Sequence, residues 1–161
     1  ERRTDVAIRI GQLQVSTVHA RPLCTSRLRV LASPEYLARA GRPKSVADLA
    51  GHTLLGFNQP ESLNRWPLRG THGDEWPIVP SLTASSGETL RQLALAHVGL
   101  VCLSDFMTAA DRESGRLVQV LARETVEVRQ PINAVYYRNT ALASRITCFL
   151  DFLSERLGGP T

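Results

Sequence analysis

Apolar and polar positions along this chain change period repeatedly, and each change is marked by a turn residue. The opening run D-V-A-I-R-I-G, Asp5 to Gly11, reads as a strand: Val6, Ala7, Ile8 and Ile10 suit a segment covered on both faces. Arg9 interrupts it, and Gly11 lets the backbone turn or approach a ligand closely. A buried strand ending in Arg-Ile-Gly places backbone groups at a sheet rim, where open α/β folds bind ligands.

Val18–Leu23 and Leu28–Ala32 read as two further extended runs. Ser33 and Pro34 then start a helix whose inward face is Tyr36, Leu37 and Ala40, and Gly41 stops it in a left-handed conformation. Ser45–Leu49 predicts a short helical turn and Leu54–Phe57 a brief strand. From Asn58 to Pro80 the prolines and glycines predict hairpin and loop, with Trp66 and Trp76 packed across one hairpin.

Ser81–Ala84 predicts a strand feeding a helix whose start, Ser85-x-x-Glu88, has the form of a capping box. Leu90, Leu93, Ala94 and His97 recur at helical spacing, and Gly99 is expected to close that helix before the buried run Leu100–Leu103. A helix near Asp105–Glu113 and strands near Leu117–Leu121 and Ile132–Tyr137 follow. The last helix carries the clearest apolar stripe, Leu142, Ile146, Phe149, Leu150, Leu153 and Leu157, ended by Gly158-Gly159-Pro160. Strands alternating with helices predict an α/β sheet.

Composition narrows the class. The 161 residues are about one domain, and 43% hydrophobic with 21% charged describes a soluble globular chain. No apolar run approaches the ~20 residues of a bilayer helix, and no signal peptide opens the chain. The first residue is Glu1 and the only methionine is Met107, which reads as a piece of a longer polypeptide.

The net charge of +4 is an arginine surplus spread from Arg2 and Arg3 through Arg21, Arg27, Arg29, Arg39, Arg42 and Lys44. Dispersed in this way, it reads as a solvated surface and not a phosphate track. Cys24, Cys102 and Cys148 are odd in number and far apart, which fits reduced thiols and a cytoplasmic compartment.

Catalytic patterns are absent from the sequence. No G-x-S-x-G elbow presents a serine, and His19, His52, His72 and His97 stand singly, without H-x-x-x-H or C-x-x-C. No nucleotide motif occurs, so neither metal nor cofactor is predicted, and the chain does not read as an enzyme. The helix start at Ser85-Ser86 has two chemical readings: its amides and hydroxyls could hold a carboxylate, or Ser85 and Glu88 could simply satisfy the helix end.

Four blocks, in order and spacing, carry a family resemblance. They are D-V-A-I-R-I-G, the stretch Arg29 to His52 (R-V-L-A-S-P-E-Y-L-A-R-A-G-R-P-K-S-V-A-D-L-A-G-H), Ser85 to Ser104 (S-S-G-E-T-L-R-Q-L-A-L-A-H-V-G-L-V-C-L-S), and G-R-L-V-Q-V-L, Gly115 to Leu121. Together they resemble the regulatory domain of LysR-type transcriptional regulators over nearly the whole chain.

That resemblance implies an α/β, periplasmic-binding-protein-like (type 2) fold with one lobe near complete and the other truncated. Residues 1–22 and 140–161 would be the remnant of the first lobe and 23–139 the second. A small effector, a carboxylate or other anion among the candidates, would bind in an interlobe cleft lined by Arg9, Ile10, Gly11, Ser33, Phe57, Asn58, Ser85, Ser86, Leu103 and Ser104. The family has glycine where this chain has His97 and proline where it has Ser104. DNA would be bound only through an N-terminal winged helix-turn-helix domain outside this chain, in a homodimer or homotetramer. The alternative of another class is a solute-binding protein of a transport system; a small hydrolase using Ser85 or Ser86 is the third.

Overall fold

The computed structural model describes residues 6–11, 18–137 and 144–157, with the side chains of 18, 137 and 144–148 outside the description. In chain order its elements are β1 (Ala7–Ile10), β2 (Val18–Ala32), α1 (Pro34–Ala40), β3 (Leu54–Phe57), β4 (Arg65–Trp66), β5 (Trp76–Pro77), β6 (Leu82–Ala84), α2 (Gly87–Leu95), β7 (Leu100–Ser104), α3 (Asp105–Glu113), β8 (Val118–Gln119), β9 (Arg129–Tyr137) and α4 (Ser144–Leu157). The chain divides into two compact units. One runs up to Ser26 and resumes at Arg129, and the other is Arg27–Val128.

In the smaller unit β1 pairs antiparallel with β9, Ala7 opposite Val135 and Ile10 opposite Ile132. Its core gathers Leu23, Ile132, Ala134 and Leu150, with Val6, Cys24, Tyr136, Leu153 and Leu157 packed around them. β1 is a sheet edge, and Ile8 and Ile10 are exposed, so the expected cover on both faces is not what the described residues show. Of the terminal stripe, Leu150 is buried while Phe149 is 48% exposed. Leu142, the Ile146 side chain and the expected stop at Gly158-Gly159-Pro160 lie outside the described residues.

In the larger unit the strand order is β2-β7-β3-β6, with β8 paired to β2. β3 runs parallel to both β6 and β7, whereas β2 runs antiparallel to β7. Successive side chains point to opposite faces of a strand, and both faces here are apolar. Val30, Ala32, Leu54, Leu100 and Cys102 pack under Tyr36, Trp66 and Leu68 on one face. Leu31, Leu55, Val101 and Leu103 pack under Leu90, Ala94 and Leu117 on the other. The near-continuous hydrophobic run Leu100–Leu103 follows from this burial on both sides.

Three local readings change. The two extended runs on either side of Cys24 are a single fifteen-residue strand, β2. The cap of α2 is Ser86, whose Oγ accepts from the Thr89 amide at 3.2 Å, and not Ser85. Glu88 does not reach back: its carboxylate takes Arg91 Nη1 and Gln92 Nε2, each at 2.9 Å. The left-handed residue after α2 is His97, φ 67°, and not Gly99. Gly99 is required for another reason, since a Cβ there would lie 2.4 Å from the Thr53 carbonyl oxygen.

The start of α1 is as the sequence predicts, with Ser33 Oγ accepting from the Tyr36 amide and Pro34 at the first helical position. Gly41 has positive φ, 83°, but its ψ of 158° lies outside the left-handed helical region. Trp66 faces Trp76 across the β4–β5 pair.

Candidate ligand site

Register decides which predicted residues can act together. Phe57 lies opposite Ala84, and Leu55 lies opposite Val101, which carries Phe57 level with Leu103. The parallel strands β3, β6 and β7 therefore end at one edge, where they present Phe57–Asn58, Ser85–Ser86 and Leu103–Ser104. Ser33 follows β2, which runs the other way, with Leu28 and not Ser33 opposite Ser104. Ser33 is five residues beyond Leu28, ~17 Å along a strand. The larger unit thus brings six of its seven candidates to one edge and leaves Ser33 at the opposite one.

At that edge Ser85 and Ser86 are exposed, as is Asn58. Ser86 Oγ also meets Thr89 Oγ1 at 2.9 Å. Glu88 turns along α2 to Gln92 and Arg91, whose bonds hold its carboxyl below the usual range, so it stays ionised in the first turn with Arg91 as its counter-charge. Leu103 is core. Ser104 is buried, and its Oγ accepts from the Phe106 amide at 3.1 Å, capping α3. The hydroxyl that the sequence places near a pocket serves a helix end.

One residue outside the motif blocks shapes this edge. Asn64, buried in the loop, donates from Nδ2 to the Phe57 carbonyl and accepts at Oδ1 from the Phe57 amide, both at 2.8 Å. It replaces a neighbouring strand at the end of β3. A Cβ at Gly56 would meet Asn64 Oδ1 at 2.6 Å and Pro80 Cγ at 2.5 Å, so glycine is what allows the clamp to close. Nothing in the spacing of a Pro-rich loop announces such a clamp.

Ser33 itself joins His97 and Glu35: Oγ is 2.8 Å from Nδ1, and Nε2 is 2.8 Å from Glu35 Oε2. The order of groups is that of a serine triad, but Ser33 is only 1% exposed and its oxygen already accepts the Tyr36 amide. A carbonyl substrate has no approach to it. The trio ties the start of α1 to the turn after α2.

Arg9, Ile10 and Gly11 lie in the smaller unit, at the end of β1. Arg9 is exposed, and Gly11 has φ 96° and donates to the Pro131 carbonyl at 2.9 Å. Among the described residues no three His, Cys, Asp or Glu side chains group as metal ligands, and no helix is long and apolar enough to cross a membrane.

A doubly covered α/β sheet with its parallel strand ends at one edge, in a chain whose second, smaller unit comes from the residues on either side of it in sequence, defines a periplasmic-binding-protein-like (type 2) regulatory fold. The family model described as LysR substrate binding domain matches residues 1–158, and the chain belongs to that family. It is 50% identical over 158 residues to the HTH-type transcriptional regulator CrgA of Neisseria meningitidis serogroup B, covering 98% of this chain and 53% of that protein. It is 31% identical over 155 residues to the HTH-type transcriptional regulator DmlR of Escherichia coli, covering 94% and 49%.

The solved regulatory domain of CrgA superposes with a TM-score of 0.88 at 50% identity, covering 96% of this chain and 76% of that one. The effector domain of AmpR from Pseudomonas aeruginosa, at 24% identity and a TM-score of 0.74 over 96% and 72%, shares the fold. The chain spans about half the length of the curated relatives it matches. The transport alternative finds no support in these relatives, which are transcriptional regulators.

Proposed function

We propose that this chain senses a small metabolite, with carboxylates the first class to test, for a LysR-type regulator that controls transcription and catalyses nothing. The parent protein would act in the cytoplasm as a homodimer or homotetramer and bind DNA through a helix-turn-helix domain outside this chain. The relatives named as HTH-type regulators support that reading.

The observation that carries it is the shared edge of β3, β6 and β7. Two exposed serines, an exposed asparagine and the first turn of α2 converge there, in the position where open α/β sheets take ligands. For this edge we retain Phe57, Asn58, Ser85 and Ser86 as contacts, with Leu103 in the core beneath it and Ser104 capping α3. Ser33, at the opposite edge, is left out. A bound effector controls transcription only if it has unequal affinity for two states of the domain.

A thermal-shift screen of small carboxylates against the chain and its full-length parent tests the assignment. A stabilising compound should lose its effect in Ser85→Ala/Asn58→Ala, and Arg9→Ala tests the smaller unit's strand end separately. Full retention of the shift in the double variant removes the edge as the site.

A further inference from the structure

We propose a second binding site, for a small oxyanion, in a hollow of the larger unit formed by β2 and the segment from Gln119 to Glu127. The hollow has a volume of about 180 Å³, and Arg27, Arg29, Gln119, Ala122, Thr125 and Glu127 are in its wall. At ~30 Å³ per water in the liquid, this is room for about six heavy atoms, the size of phosphate, sulfate or a short carboxylate. Arg29 lies opposite Leu103 and Leu28 opposite Ser104, so the hollow adjoins the strand-tip edge on its β2 side, but none of its lining residues is among the contacts assigned there.

Arg27 and Arg29 are two apart on a strand and so share a face. Arg29 is held in place: Nε donates to both carboxylate oxygens of Asp105 at 2.8 Å, and Nη1 donates to Gln119 Oε1 at 2.7 Å. Its Nη2 donates to no protein acceptor among the described residues. With Oε1 engaged by Arg29, the Gln119 side chain has its NH2 group to offer as a donor. A guanidinium already fixed by its neighbours loses little rotamer freedom when it takes an oxyanion.

The other guanidinium is held more loosely. Arg27 meets Glu127 at 2.8 Å, but the two side chains are 41% and 48% exposed. A pair so open to water contributes little, so an oxyanion can take Glu127's place on Arg27 at small cost. Thr125 Oγ1 donates to the Leu121 carbonyl and has only lone pairs left, so it adds no donor. The local charge favours an anion: Arg27, Arg29 and Arg112 stand against Asp105 and Glu127, one positive charge in excess.

The test is a titration of the isotopically labelled chain with inorganic phosphate, sulfate and acetate, each against sodium chloride of equal ionic strength, following the Arg29 Nε–H and Gln119 NH2 signals by NMR. The expected result is a saturable shift with at least one oxyanion. The three arms separate a phosphate or sulfate preference from a carboxylate one.

Ala122→Trp fills the hollow without touching a charge and should weaken binding about tenfold or more. Arg29→Lys keeps the charge opposite Asp105 but removes the fork, and should weaken it about threefold. The proposal is overturned by a shift that rises linearly and equally with chloride, or by affinity unchanged in either variant. It is also overturned if Ser85→Ala/Asn58→Ala abolishes the shift while Ala122→Trp preserves it, because the anion then sits at the strand tips.

Discussion

Arg91 on α2 grips Asp111 on α3 with two bonds, Nε to Oδ2 at 2.7 Å and Nη2 to Oδ1 at 2.9 Å. Asp111 is fully buried, and Arg116 supplies a third bond from Nη2 at 2.8 Å. The Asp111 bonds raise the already high pKa of Arg91, so its charge persists wherever the protein folds. Removing the carboxylate leaves a half-buried guanidinium without its main partner. Asp111→Asn should cost about 3 kcal/mol in urea unfolding. Arg116→Ala, on a side chain 60% exposed, should cost less than ~1 kcal/mol.

His97 occupies a conformation better suited to glycine, at φ 67°. Its imidazole offsets that strain by bonding Ser33 and Glu35. His97→Ala and His97→Gly both remove the ring, but only glycine is at ease in this conformation. The glycine variant should therefore be the more stable of the two by about 1 kcal/mol, measured by chemical denaturation. Equal stabilities would show that the backbone relaxes when the ring is lost.

Burial pushes the Cys102 thiol up to about 12, and Cys24, half-buried, is raised less far from its ordinary value. At pH 8 the Cys102 thiolate is then about one part in ten thousand. In a Cys148→Ser background, a thiol-disulfide reagent should label Cys24 in the folded protein and Cys102 only after unfolding. Fast labelling of both would mean that β7 opens readily.

The Asp48 carboxylate accepts from the Lys44 amide at 2.8 Å and the Ser45 amide at 3.0 Å, which lower its pKa, the Lys44 bond most. A depressed native pKa stabilises the fold above the unfolded value, and that contribution disappears as pH falls through the native one. Asp48→Asn should therefore destabilise near neutrality, with the gap from the parent protein closing below the ordinary carboxylate value of 3.8. Melting temperatures between pH 7 and 3 check this.

Local signals in the sequence were legible where one residue decides the outcome. Ser33-Pro34 set the start of α1, and the apolar run after Gly99 set β7. They misled where neighbours compete for a role. Ser85 and Ser86 could each cap α2, and the outcome turned on Glu88 bonding forward along the helix. Pro22 lies within β2, and a proline in a run normally argues against a continuous strand.

For the site, the strand ends were legible but their directions were not. Chain order alone could not show that β2 opposes β7, the one fact that separates Ser33 from Ser104. Arg27 and Arg29, two apart on β2 and in step with His19, Arg21 and Thr25, signal a polar face that counting dispersed charges does not show.

Because the amide of Asn64 anchors Phe57 from behind, the rim keeps its shape whatever side chains the intervening loop displays. Mutation can reword residues 58–63 without rebuilding the scaffold beneath. If the proposed edge holds the effector, that loop is where its preference can change while the sheet stays as it is.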